Sequence, residues 1–250
     1  MAVTVAPADP AALAAALAAH GYAVIDTPAR DPDEPWGFVE ALIGARPRMV
    51  ERQPIRPRAG GRSIASTMGD AALHTDSQDY LGAPPSLQVM ICRRAAAAGG
   101  HSRLVDGQAL LARLERDDPA LAAALVEVPR RHAFYFGDVV RPTVVRVGDR
   151  VQWTCSPQPP ADPIGHGLAR ALARAPVIEL AIAAGQTLVV DNHRMLHGRG
   201  AFADPERHFV RLLAWLGGPR DRLDVVLALL TGVPPARLAA QAGIAEAELY

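Results

Sequence analysis

The spacing of apolar positions along the chain predicts many short strands with helices on either side. Leu13 and Leu17 stand at helical spacing between Asp9, a suitable helix cap, and Gly21, a common helix stop. The same spacing predicts further helices over 36–43, over 107–126 with an interruption at Pro119, and over 164–174. Extended apolar runs between turn residues predict strands over 22–26, 86–92, 102–105, 143–147, 150–154, 177–182, 186–191 and 209–216.

The order of these elements indicates the fold class. Strands and helices do not alternate regularly, which favours a mainly β fold with flanking helices, a sandwich or barrel, over a doubly wound α/β fold. Residues 46–62 are rich in Arg, Pro and Gly and are predicted to form a surface loop, and Gly148-Asp149 is predicted to turn a hairpin. No repeat or low-complexity linker interrupts the 250 residues, so we expect a single domain over 1–250 with a helical tail at about 219–250.

Composition narrows the classes of function. With 26 basic and 26 acidic residues the net charge is zero, so no overall field attracts nucleic acid or an anionic membrane. Every basic residue is arginine, which excludes lysine Schiff-base chemistry. Cys92 and Cys155 fit no disulfide framework, and no apolar run is long enough to span a bilayer. We expect a cytoplasmic protein that binds a small molecule, and a homo-oligomer is compatible with the sequence.

Candidate chemistry begins at the stretch LHTDSQDY, residues 73–80. In an extended chain His74 and Asp76 project to the same face, which places an imidazole beside a carboxylate. A third ligand is predicted in DNHRMLHGRG, where His197 is the preferred residue and His193 is its rival because an extended chain gives both the same parity. Two histidines and one carboxylate form a facial triad that leaves positions open on non-haem iron(II).

Two arginines follow this histidine segment. Arg207 and Arg211 are four residues apart, so in a strand both guanidinium groups lie on one face. A guanidinium near an iron site is well shaped to bind a carboxylate in bidentate fashion. Arg211 could instead pair with a nearby acid, or join Arg207 in binding one anion.

Taken together, these motifs resemble a known family. The stretches HTD…PPSLQVMICRRAAAAGGHSRLVDG and DNHRMLHGRGAFADPERHFVRLLAW are similar to the taurine dioxygenase (TauD/TfdA) family of iron(II)- and 2-oxoglutarate-dependent oxygenases. The resemblance is densest over 73–107 and 186–216. It implies a double-stranded β-helix (jelly-roll, cupin-like) core in which His74, Asp76 and His197 hold the iron.

The resemblance also implies roles for the neighbouring polar residues. Ser102 stands where the family places a hydroxyl on the distal carboxylate of 2-oxoglutarate, and Arg207 matches the arginine that pairs with that carboxylate. Arg211 matches the position that holds the anionic group of acidic substrates. With oxygen as the other cosubstrate, the implied reaction hydroxylates or otherwise oxidises a small carboxylate-bearing substrate, an amino acid or a natural-product intermediate. The chain is short for the family and has little sequence for a substrate lid.

Two other classes of function stay open at this stage. Two histidines and an aspartate also suit a hydrolytic zinc site, although that reading gives Ser102, Arg207 and Arg211 no shared purpose. The segment LLTGVPPARLAAQAGIAEAELY resembles part of a helix-turn-helix, as in a regulatory protein. The printed sequence stops before a recognition helix of useful length, so we expect a packing or dimer-forming tail.

Overall fold

The structure, a computed structural model, describes most of the chain. The described residues are 2–6, 9–27, 34–61, 63–76, 84–134, 137–147 and 150–216. The predicted turn at Gly148-Asp149 and the predicted tail at about 219–250 lie outside them. No helix among the described residues is long and apolar enough to cross a membrane.

Strands dominate the described residues. They are β1 (Thr4–Val5), β2 (Tyr22–Asp26), β3 (Met49–Ile55), β4 (Ala71–His74), β5 (Leu87–Arg94), β6 (Ser102–Asp106), β7 (Arg130–Phe134), β8 (Gly137–Arg141), β9 (Val144–Val147), β10 (Arg150–Trp153), β11 (Ile178–Leu180), β12 (Gln186–Asp191), β13 (Met195–Arg199) and β14 (His208–Trp215). The helices are α1 (Pro10–His20), α2 (Pro35–Ile43), α3 (Gly107–Asp117), α4 (Pro119–Glu127) and α5 (Pro163–Ala173).

Two sheets form the jelly roll. The major sheet has the order β1-β2-β12-β5-β14-β3, and the minor sheet has the order β11-β6-β13-β4. Pairing is antiparallel throughout both sheets except between β1 and β2. Two hairpins, β7–β8 and β9–β10, complete the set. The predicted mainly β fold with flanking helices and a double-stranded β-helix core is confirmed.

The alternation of side chains along each strand divides the core into three layers. On β12, Leu188 and Val190 face the space between the two sheets. Val189 points to the opposite side of the major sheet, where α1 and α2 pack. On β13, Met195 faces the interior and Leu196 packs towards α3, α4 and β10. Each such fully buried aliphatic side chain contributes about 1.5–3 kcal/mol to folding. The candidate metal ligands His74 and His197 lie in the layer between the two sheets.

One prediction about the fold is wrong. The predicted surface loop over 46–62 contains β3, which pairs with β14 along seven residues from Met49 to Ile55. β3 is the edge strand of the major sheet, so Pro54 can occupy it without removing a ladder bond from a central strand. The sequence pattern did not predict this strand, because β3 is rich in polar residues. An edge strand requires little alternation of apolar and polar positions.

The approach of β13 to β4 depends on Gly198. The register shifts between His197 and Arg199, and a Cβ at Gly198 would lie 2.6 Å from the Ala71 carbonyl oxygen. Real Cβ atoms are not found at that distance, and the atom in the way is backbone that cannot rotate aside. A side chain at this position would therefore push β4 away from β13.

We predict that Gly198→Ala lowers the free energy of unfolding by about 1–3 kcal/mol, because the methyl group overpacks against the β4 backbone. The control is Gly69→Ala, where a Cβ would meet nothing within 4 Å, and its effect should stay within about 1 kcal/mol. Denaturant unfolding of both variants measures the difference. Equal stability of the two variants would show that β4 can move aside without cost.

Candidate metal centre

His74 and His197 face each other across the pair of strands β4 and β13. They are directly opposite in the register, both are buried, and their ring centroids are 4.5 Å apart. The Nδ1 of His74 lies 2.8 Å from the Ala72 carbonyl oxygen and must donate to it, which leaves Nε2 as the ligating atom. Burial first, and then the nearby His197, lower the pKa of His74 to about 4. His74 is therefore neutral near pH 7, as a metal ligand must be.

Asp76 lies two residues beyond the end of β4, and buried polar contacts hold it in place. Its backbone N–H donates to Asn192 Oδ1 at 2.9 Å, and Asn192 Nδ2 donates to the Pro85 carbonyl oxygen at 2.9 Å. The carboxylate lies 3.8 Å from His74 Nε2 and 3.5 Å from His197 Nε2. Asn192 is therefore the residue that directs the chain so that Asp76 faces the two imidazoles.

The electrostatics keep Asp76 ionised. Burial alone would raise the pKa of its carboxyl, but Arg211 and the two histidines hold that pKa well below its usual range. One ligand atom from each of His74, Asp76 and His197 lies within 4.8 Å of the others. Two imidazoles and one carboxylate suit non-haem iron(II) and leave coordination positions for other ligands.

The structure separates His193 from this group. Residues 192–194 form a turn between β12 and β13, so the parity argument that made His193 a rival does not apply. Its Nε2 lies 3.0 Å from the Pro84 carbonyl oxygen. His197 occupies the middle of β13.

Two side chains contact the Asp76 carboxylate from the major sheet. Gln88 donates through Nε2 to Asp76 Oδ2, and the same nitrogen lies 2.8 Å from His197 Nε2. Arg211 donates to Asp76 Oδ1 through Nη1 and to Gln53 Oε1 through Nη2. Of the alternatives that the sequence left open for Arg211, the structure shows the pairing with an acid.

Sequence reasoning missed Gln88 and Asn192. Gln88 faces the interior from β5 and is 6% exposed, and Asn192 is fully buried. Each had a signal: Gln88 is the only residue that can donate and accept several hydrogen bonds within the apolar run LQVMIC, and Asn192 directly follows the apolar strand LVVD. A buried amide needs partners, so such positions point to a polar site.

A cavity of about 70 Å³ extends from the histidines to a second polar end. Ser102 and Arg207 line that end, and Arg211 lines the same cavity, as the predicted shared face requires. Arg207 is 3% exposed, lies over the Phe209 ring at 4.1 Å, and donates to the Gly100 carbonyl oxygen at 3.4 Å. Its Nη1 is buried without a hydrogen-bond partner among the described residues. A buried donor without a partner is costly, and a carboxylate oxygen would satisfy it.

The Gly-Gly-x-Ser motif forms the turn that closes this end of the cavity. Gly99 has φ +73°, and a Cβ there would lie 2.3 Å from the Ala201 carbonyl oxygen. The turn places Gly100 against the Arg207 side chain and starts β6 at Ser102. Only glycine satisfies both the left-handed conformation and the close approach.

Comparisons with known proteins agree with this geometry. A family model described as "Taurine catabolism dioxygenase TauD, TfdA family" matches residues 3–165 and 156–213. An asparagine oxygenase in complex with Fe(II), 2S,3S-3-hydroxyasparagine and succinate is 16% identical, with a TM-score of 0.64 over 83% of this chain and 78% of that chain. A search of curated protein sequences finds no match.

Two further solved structures share the fold. PvcB from Pseudomonas aeruginosa is 18% identical, with a TM-score of 0.61 over 86% of this chain and 82% of that chain. AAD-2 in complex with Mn(II) and N-oxalylglycine is 15% identical, with a TM-score of 0.63 over 87% of this chain and 92% of that chain. At these identities the likeness shows that the fold is shared, whereas the reaction depends on the residues of this chain.

We predict that His74→Ala, Asp76→Ala and His197→Ala each weaken Fe(II) binding by more than about 100-fold and abolish iron-dependent turnover, since each removes one of three ligands. His193→Ala is the matched control and should keep most of both. Calorimetric titration of the anaerobic protein with Fe(II) measures the affinity. An inactive His193 variant beside an active His197 variant would mean that the third ligand is assigned wrongly.

Proposed function

The chain belongs to the taurine catabolism dioxygenase (TauD, TfdA) family and is an iron(II)- and 2-oxoglutarate-dependent dioxygenase; we propose that it oxidises a small substrate that carries a carboxylate. In this proposal His74, Asp76 and His197 hold the iron, and Ser102 and Arg207 bind 2-oxoglutarate. The observation that carries it is one cavity lined by His74 and His197, which converge with Asp76, and by Arg207 with its buried, unsatisfied donor.

The residues present fit both groups. Bound iron(II) supplies the oxygen activation that couples decarboxylation of 2-oxoglutarate, giving succinate and carbon dioxide, to oxidation of a C–H bond. Arg207 cannot be deprotonated near neutral pH, although burial and then Arg199 lower its pKa to about 10. Its charge, with the Ser102 hydroxyl, is suited to the distal carboxylate of 2-oxoglutarate. The zinc-type alternative offers Arg207 no ligand.

The rest of the chain orients the reactants and excludes water. Ile55, Leu104 and Leu188 line the cavity between its two polar ends. Apolar walls strengthen the electrostatic contacts inside and keep bulk water from competing for the iron. Asn192 fixes the backbone of Asp76 and Gln88 donates to its carboxylate, so the ligand geometry is set before any reactant binds.

Arg211 is the candidate for the substrate's acid group. Its Nε is buried without a partner among the described residues, and its guanidinium lies beside the ligand Asp76. Iron(II) and Arg211 would both interact with the negative charge of the Asp76 carboxylate. A bound metal would therefore weaken the ion pair between Asp76 and Arg211. The guanidinium then requires another anion, and Arg207 already serves 2-oxoglutarate. A free amino acid or an amino-acid-derived acid fits this requirement.

We also infer a single cytoplasmic domain without a nucleic-acid partner. The zero net charge and the two buried free thiols of Cys92 and Cys155 support a reducing compartment and a small-molecule ligand. The segment 219–250 remains a predicted packing or dimer-forming tail. Deletion of 231–250 should then reduce stability or assembly and leave no DNA-binding activity to lose.

The test of the function is succinate release from 2-oxoglutarate in the presence of Fe(II) and oxygen. A panel of free amino acids and amino-acid-derived acids should contain a compound that raises succinate release and appears as an oxidised product in equal amount. A wild-type protein that binds Fe(II) but never converts 2-oxoglutarate to succinate would refute the proposal.

We predict that Arg207→Ala raises the KM for 2-oxoglutarate sharply and leaves Fe(II) binding nearly intact. Truncating one partner of a buried charge pair costs about 2–5 kcal/mol. The control is Arg94→Ala, because Arg94 is an exposed arginine that contacts Glu206 at the surface. Succinate formation at varied 2-oxoglutarate measures the effect, and an unchanged KM in the Arg207 variant would count against this role.

We predict that Arg211→Ala weakens substrate affinity, whereas succinate formation without coupled substrate oxidation survives at saturating 2-oxoglutarate. Esterifying or amidating the substrate's acid should mimic the mutation in the wild type and add little in the variant, because both remove the same ion pair. Substrate KM values for the four combinations provide the measurement. An equal rise in substrate KM on esterification in both proteins would disprove the ion pair between Arg211 and the substrate's acid group.

A further inference from the structure

Arg199, the arginine of the His-Gly-Arg motif, has no role in the reaction described so far. It ends β13, is 8% exposed, and lines the same cavity as Arg207 and Ser102. Its guanidinium donates to three backbone carbonyl oxygens, from Nη1 to Ile64 at 3.1 Å and from Nη2 to Thr67 at 3.1 Å and Gly69 at 2.5 Å. A buried charge that serves only one short irregular segment indicates a specific task.

That segment, residues 63–70, forms one wall of the cavity. Ile64 and Ala65 line the cavity beside Arg207. The segment contains neither helix nor strand, so most of its carbonyl groups have no donor within the segment, apart from Ser63, which accepts from the Ser66 N–H. Besides the three bonds from Arg199, the Phe202 N–H donates to the Met68 carbonyl oxygen at 3.0 Å. The wall is therefore attached to the chain that follows β13.

Phe202 also connects Arg199 with Arg207. The Arg199 guanidinium lies 4.7 Å from the centroid of the Phe202 ring, and the Arg207 guanidinium lies 5.0 Å from the same centroid. Arg207 has the Phe209 ring as its other aromatic neighbour, at 4.1 Å. The stacked rings restrict the directions in which the Arg207 side chain can point, and cation–π contacts of this kind stabilise that arrangement.

We propose that Arg199 is a positioning residue for 2-oxoglutarate: it holds the 63–70 wall against the cavity and, through Phe202, keeps Arg207 directed at the cosubstrate carboxylate. The inference rests on the proposed function, in which Arg207 binds 2-oxoglutarate. Arg199 acts here through the wall, to which its Nη1 and Nη2 donate, while its Nε is buried without a partner among the described residues.

The expected consequence is a selective loss of cosubstrate affinity. Without the guanidinium, three carbonyl oxygens of the wall lose their donor and Phe202 loses a stacking partner, so the wall opens more often. The metal ligands lie outside the 63–70 wall, and their hydrogen bonds to Ala72, Asn192 and Gln88 do not involve the Arg199 guanidinium, so these contacts remain. Turnover at saturating 2-oxoglutarate should therefore recover, because the variant still forms the bound complex once the ligand concentration compensates.

The experiment compares Arg199→Gln and Arg199→Lys with the wild type. We expect the Gln variant to bind 2-oxoglutarate at least about tenfold more weakly in the presence of Mn(II), to keep the wild-type Mn(II) affinity, and to regain turnover at high 2-oxoglutarate. Hydrogen exchange of the peptide that covers 63–70 should become faster in the protein without added ligands. The Lys variant should recover part of both effects, since its ammonium can still donate to the wall.

Arg194→Gln provides the matched control. Arg194 is a partly buried arginine that also donates to backbone carbonyl oxygens, at Ala18 and Ala19, and pairs with Asp106 away from the cavity. Its loss should reduce thermal stability without changing 2-oxoglutarate affinity or exchange at 63–70. Unchanged cosubstrate affinity, or unchanged exchange at 63–70, in Arg199→Gln would overturn the inference. Failure of the wild type to bind 2-oxoglutarate would instead refute the proposed function.

Discussion

The antiparallel pairing of β13 with β4 is the constraint on which the site depends. It places His197 directly opposite His74, and residues in that relation have side chains close enough to share one metal ion. Gly198 allows the two backbones to approach closely at the point where the register shifts. Once both imidazoles are fixed, Asp76 needs only to leave β4 in the correct direction, and the buried amide of Asn192 provides that direction. The triad is thus a property of strand pairing rather than of a loop.

The second constraint is charge in a buried space. Three arginines, Arg199, Arg207 and Arg211, line the cavity, and Arg211 pairs with the Asp76 carboxylate. Buried charges are tolerated only when other groups compensate them. Arg199 donates to backbone carbonyl groups and Arg211 to Asp76 and Gln53. Each of the three arginines nevertheless keeps one buried nitrogen without a partner among the described residues, namely Nε of Arg199 and Arg211 and Nη1 of Arg207. The interior is therefore built to receive anions, which agrees with a dicarboxylate cosubstrate and an acidic substrate.

Much of this fold could be predicted from the sequence, because local patterns determine β2, β12 and α1 almost to the residue. The pairing of His74 with Asp76 follows from their two-residue spacing in extended chain. Other features depend on tertiary structure. β3 lacks apolar alternation because it is an edge strand. The role of Gln88 depends on its contact with Asp76, which only the packing of β5 against that residue creates. The choice between His193 and His197 likewise required the turn at 192–194, which breaks the parity of the segment.

The contact between Arg211 and Asp76 couples metal binding at Asp76 to anion binding at Arg211. A carboxylate that donates electron density to a metal has less negative charge left for a guanidinium, so metal binding and the Arg211–Asp76 pair oppose each other. An anion that binds Arg211 removes that competition for Asp76. Thermodynamic linkage then requires that the metal and the anionic substrate strengthen each other's binding by the same factor. In the proposed function Arg211 would therefore select the substrate and, through one shared carboxylate, favour a site in which iron and substrate are present together.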